Sequence, residues 1–133
     1  MSNGYILDTC AWLDSFVNPG ILRADIRSLI DRQPLFFLAD ITLLEVARKA
    51  QVGDLVFTPP IEQWFGIALP QRRSRVLPIT PQIAIESTRL PEPFHKDPAD
   101  RLIVATAKVH DLVVITSDRK ILDYAHVESL GSR

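Results

Sequence analysis

A chain of 133 residues, 47% of them hydrophobic, is long and apolar enough for one packed core and too apolar for a disordered segment. The single cysteine, Cys10, rules out an internal disulfide, and a net charge of −1 leaves no general basic surface for nucleic acid. No apolar run approaches the ~18 residues needed to span a bilayer, and Met1-Ser2-Asn3-Gly4 lacks the basic-then-apolar opening of a signal peptide, so a cytoplasmic protein with no membrane partner is expected.

Gly4 to Leu7 reads as a buried first strand ending at Asp8. Ala11 to Val17 reads as a short helix, stopped near Asn18-Pro19-Gly20. Ile21, Leu22, Ile26, Leu29 and Ile30 recur at helical spacing, and Pro34 separates them from a second strand, Leu35 to Leu38. Asp40 or Thr42 is a candidate cap for a helix running to Gln51, with Gly53 just beyond its end. A helix from Ile61 to Leu69 follows Thr58-Pro59-Pro60, and Val76 to Ile79 is a third strand candidate. Thr80-Pro81 opens a helix over Gln82 to Leu90, and the Pro91–Lys96 segment reads as loop. Asp97-Pro98 starts a helix to His110, Leu112 to Ile115 is an apolar strand, and Asp118 opens a short helix to Tyr124. Val127 to Leu130 is a candidate last edge strand.

Strands alternating with helices imply parallel strands joined by right-handed crossovers. Continuously apolar strands are those covered on both faces. The expected architecture is one domain over residues 1–133, a three-layer α/β/α sandwich around a mostly parallel sheet of four or five strands. In such a sheet, ligands sit beyond the carboxyl ends of the strands.

The acids fall where that rule gives them meaning. Asp8 leaves the first strand and also suits an N-cap. Glu45 stands three residues after Thr42, the spacing of a capping box, yet apolar neighbours surround it. Asp97 and Asp100 both suit a helix start, so one of the pair is expected to be structural. Asp118 follows the last long strand by three residues and shares a capping role with Thr116 and Ser117. Taken jointly, Asp8, Glu45, Asp100 and Asp118 converge on one crevice if the topology holds. Carboxylates gathered without cations repel one another, and a hard divalent ion removes that repulsion.

Four segments carry a family resemblance: Tyr5-Ile6-Leu7-Asp8-Thr9-Cys10-Ala11-Trp12-Leu13, Thr42 to Lys49 around Glu45, Phe94 to Ala107 around Asp100, and Leu112 to Arg119 around Asp118. In order, spacing and whole length the chain resembles the PIN domain, most closely the VapC-type toxins of toxin–antitoxin pairs. The resemblance implies a Mg²⁺- or Mn²⁺-dependent endoribonuclease, a homodimer and an antitoxin partner. It carries the acidic quartet onto Asp8, Glu45, Asp100 and Asp118, with Asp8 and Asp100 as the most direct metal ligands and Asp118 beside them. Asp97 is an extra acid of second rank, and Thr116 or Ser117 the accompanying hydroxyl. Cys10 stands where relatives often carry His or Asn.

Around this edge Arg48, Lys49, Lys96, Arg101, Arg119 and Lys120 are candidate RNA contacts, and Arg72-Arg73-Ser74-Arg75 is the densest basic run. Each also reads as ordinary solvated surface. His95, His110 and His126 read as structural or surface groups, His95 being nearest the site. Two other classes stay open on sequence alone. One is a phosphoryl-transfer or receiver-like domain using Asp8, for which the dehalogenase pattern wants an Asp where Cys10 stands. The other is a PIN-like module that binds without cutting.

Overall fold

A computed structural model describes residues 2–133. Five strands form one sheet: β1 Tyr5–Leu7, β2 Phe36–Ala39, β3 Ser74–Leu77, β4 Val113–Thr116 and β5 Ser129–Gly131. Their order across the sheet is β3-β2-β1-β4-β5, and every neighbouring pair is parallel. The helices are α1 Thr9–Val17, α2 Ala24–Arg32, α3 Ile41–Gln51, α4 Ile61–Gln71, α5 Pro81–Thr88, α6 Pro98–His110 and α7 Arg119–Leu122.

Side-chain alternation along the strands creates the three layers. Leu7, Phe36, Leu38 and Ile115 face one way, into a core shared with Trp12, Ile26, Ile30, Trp64 and Ala68. Ile6, Ala39 and Val114 face the other way, onto Ile103, Val104, Ala107 and Ile121. Trp12 is fully buried and meets Trp64 edge-on at 5.4 Å between ring centres, with Phe16 beside both. These aromatics belong to the core.

The sandwich is as expected, and the sheet is wholly rather than mostly parallel. Several boundaries move. The first helix begins at Thr9, because the Asp8 carboxylate accepts from the Ala11 N–H and caps it. The pattern at Ile21 and Leu22 is not helix α2 but a 3₁₀ turn, Pro19–Ile21, before it. The third strand lies two residues earlier than expected. It takes in Ser74 and Arg75, because β3 pairs Phe36 with Ser74 and Ala39 with Leu77, and Arg73 at φ 50 turns the chain into it.

That shift also corrects the reading of the basic run. Arg72 donates to the Ser15 carbonyl at 2.5 Å and lies 4.5 Å over the Phe16 ring. Arg73 donates to the carbonyls of Gln33 and Ile30, satisfying the end of α2. Both arginines close the amino edge of the sheet and are spent on backbone oxygens, so they do not form a phosphate grip. Only Arg75 of the run is exposed.

Chain order fixes where a ligand can lie. From β1 the chain builds outward through β2 and β3, then returns to place β4 on the other flank of β1. The order reverses between β1 and β4, and a crevice opens beyond their carboxyl ends. Asp8 follows β1, and Ser117-Asp118 follow β4.

Candidate active site

Asp8 is the floor of that crevice. It is 5% exposed, its backbone N–H donates to the Ile115 carbonyl at 3.1 Å, and so it continues the β1–β4 register. One carboxylate oxygen accepts from the Ala11 N–H at 2.8 Å, and the other accepts from the Thr116 hydroxyl. Thr116 accepts in turn from the Asp118 N–H at 2.9 Å. One hydroxyl therefore ties the ends of two strands together. Burial pushes the Asp8 carboxyl up to about 6, against the lowering by Thr116 and Ala11 and with further raising from Asp118 and Glu45.

Asp118 caps α7 by accepting from the Lys120 N–H at 2.9 Å. Asp97 caps α6, accepting from the N–H groups of Ala99 and Asp100. That leaves Asp100, in the first turn of α6, free to face the crevice. Asp97 is the structural member of the pair. Burial first, then the charges of Asp97, Asp118, Asp8 and Glu45, push Asp100 up to about 7.

Glu45 is not the partner of a capping box. Thr42 is fully buried inside α3, and Asp40, at the N-cap position, uses its carboxylate on the Ile79 N–H instead. The Glu45 carboxylate accepts from the Thr9 hydroxyl at 2.5 Å, and Thr9 lies 3.0 Å from the Thr42 hydroxyl. Two buried threonines thus hold Glu45 toward Asp8 across two helices.

Asp8, Glu45, Asp100 and Asp118 line one cleft of about 600 Å³, with Thr9, Cys10, Asp14, Lys49 and Ser117 also in its wall. Among the described residues, none of the four acids has a Lys or Arg within salt-bridge distance. One nitrogen of His95 and one oxygen each of Asp100 and Asp118 lie within 4.8 Å of one another at the side of the cleft. Several oxygens, no Lys or Arg in salt-bridge contact and raised carboxyl pKa values at Asp8 and Asp100 fit a hard divalent ion.

Sequence reasoning passed over several groups here. Thr9 was hidden by its place beside Asp8, although a hydroxyl in a first helical turn is a usable signal. Asp14, one face of α1 away from Asp8, is 6% exposed and paired with Arg133 through contacts of 3.0 and 3.1 Å. Nothing local in the sequence connects residues 14 and 133. Arg101 is no RNA contact, since its guanidinium donates to the Ser87 and His95 carbonyls. Lys49 does reach the cleft wall, and Arg119 sits on the exposed surface against Asp123.

Four acids without a Lys or Arg in salt-bridge contact thus share one cleft at the switch point of a parallel sheet. The PIN domain family matches residues 5–127, and the chain belongs to that family. It is 34% identical over 89 residues to Ribonuclease VapC22 of Mycobacterium tuberculosis, covering 67% of each chain. Among solved structures it resembles a toxin–antitoxin complex from Klebsiella pneumoniae, with TM-score 0.68, 22% identity and 95% of each chain covered. It also resembles VapBC2 of Rickettsia felis bound to a promoter DNA fragment, with TM-score 0.72, 13% identity and coverage of 98% of this chain and 99% of that one. Family membership displaces the phosphoryl-transfer and receiver-like readings. Among the described residues, no helix is long and apolar enough to cross a membrane.

Proposed function

We propose that this chain is a metal-dependent endoribonuclease and the toxin of a toxin–antitoxin pair. The observation that carries the reading is the gathering of Asp8, Glu45, Asp100 and Asp118 in one cleft with no Lys or Arg in salt-bridge contact among the described residues. The similarity to a protein named as a ribonuclease supports RNA as substrate, and the Klebsiella pneumoniae complex supports an antitoxin partner. A homodimer completes the reading.

Asp8, Asp100 and Asp118 would hold Mg²⁺ or Mn²⁺. When bound, the ion lowers the pKa of a coordinated water and offsets charge on the phosphate. The protein's own part is positioning. Thr116 and the Ala11 N–H fix both oxygens of Asp8, so its carboxylate enters the site without reorganising. Thr9 holds Glu45 ready to accept a proton from the attacking water. In-line attack leaves a 5′-phosphate and a 3′-hydroxyl. Lys49, in the cleft wall, supplies a cation for the RNA backbone.

The test is cleavage of RNA by purified protein with and without EDTA, alongside Asp8→Asn and Asp100→Asn. Cleavage that survives EDTA unchanged would end the proposal. A PIN fold that only binds would show RNA affinity and no metal-dependent product.

A further inference from the structure

His95 takes no part in the chemistry above, yet the fold holds it beside Asp100 and Asp118 with several restraints. Its neighbour Phe94 is buried and stacks on Tyr124 at 4.4 Å. The Tyr124 hydroxyl donates to the Pro91 carbonyl at 2.6 Å, and Arg101 donates to the carbonyl of His95 itself at 3.2 Å. The imidazole packs edge-on against Phe94 at 4.6 Å and is 17% exposed. A surface histidine has no need of such a frame.

Its Nε2 is buried and makes no hydrogen bond among the described residues. It lies 3.2 Å from Asp100 Oδ2, but the contact misses hydrogen-bond alignment. A buried ring nitrogen left in this way carries a desolvation cost with no return. A shared cation would give this nitrogen a partner, and one oxygen each of Asp100 and Asp118 lies within 4.8 Å of it. Imidazole is a poor partner for Mg²⁺, which prefers oxygen and water, and a good one for first-row transition ions.

We propose that His95 is a nitrogen ligand at the metal site, beside Asp100 and Asp118, and that it makes the site prefer Mn²⁺-type ions to Mg²⁺. The inference rests on the metal-dependent reading above and adds the choice of ion to it. Its test is binding rather than turnover, on the full chain, with Mn²⁺ and Mg²⁺ as probes. Pulsed electron paramagnetic resonance of the Mn²⁺-loaded wild type should show a directly bonded nitrogen, and His95→Gln should lose it. His95→Gln should weaken Mn²⁺ binding about tenfold or more and Mg²⁺ binding less than about threefold. A wild-type spectrum with no bonded nitrogen overturns the proposal whether or not the variant folds. So does equal weakening for both ions. Wild-type protein that shows the bonded nitrogen but cuts RNA equally well in EDTA would instead overturn the metal-dependent reading beneath it.

Discussion

The two edges of the sheet handle charge in opposite ways. At the amino edge Arg72 and Arg73 are consumed by the carbonyls of Ser15, Ile30 and Gln33. At the carboxyl edge four acids face one cleft with no Lys or Arg in salt-bridge contact among the described residues, and burial raises Asp8 to about 6 and Asp100 to about 7. Even within the carboxyl edge the contrast recurs, since Asp14 in α1 is paired with Arg133 while Asp8, the cap of that helix, has no Lys or Arg in salt-bridge contact. Folding alone favours compensated charge, so uncompensated charge marks the place where something else must bind.

The largest expected effect breaks the carboxyl edge. Asp8→Asn or Asp100→Asn should lower RNA cleavage at least about 100-fold, measured on labelled RNA, with circular dichroism unchanged. Next comes the amino edge, where Arg73→Ala should lower unfolding free energy by about 1–3 kcal/mol in urea while cleavage per folded molecule stays at the wild-type level. If Arg73→Ala abolished cleavage in folded protein, the division of labour between the edges would be wrong.

Within the carboxyl edge, Arg133→Ala strands Asp14 and should cost about 1–2 kcal/mol, read as a lower denaturation midpoint. The same cluster sets the pH dependence of metal-free protein. Asp8 and Asp100 hold their protons more tightly when folded than at the ordinary value of 3.8. Their contribution to stability is therefore full below about pH 4 and is lost as pH rises through about 6 and about 7. Melting temperature should fall by a few degrees across that window, and Mn²⁺ or Mg²⁺ should restore it at pH 8. A melting temperature that rises over the same window would contradict the uncompensated cluster.

Much of this was legible in the chain because it depends on local pattern. Apolar runs of β-branched and aromatic residues alternating with helical periodicity mark a parallel sheet wherever they occur. The acids at strand ends and helix starts then point to its carboxyl edge. What was misread depends on partners distant in sequence. Thr42 and Glu45 have capping-box spacing, but Thr9, over thirty positions away, claims them both. Arg72 and Arg73 look like free basic surface until the strand register sets them against α1 and α2. His95 read as a structural or surface group, and only the Phe94–Tyr124 stack and the Arg101 contact to its carbonyl show how it is held beside Asp100.

By itself the sequence determined the alternation of elements, the layered fold and the identity of the acids, since hydrophobic periodicity and residue chemistry need no knowledge of neighbours. Only the tertiary structure decided which acids cap and which converge, that His95 joins them, and that the basic run serves the opposite edge. The physical reason is that a side chain's role depends on who meets it, and contacts between residues 8 and 116, or 14 and 133, exist only after the sheet has closed its order around β1.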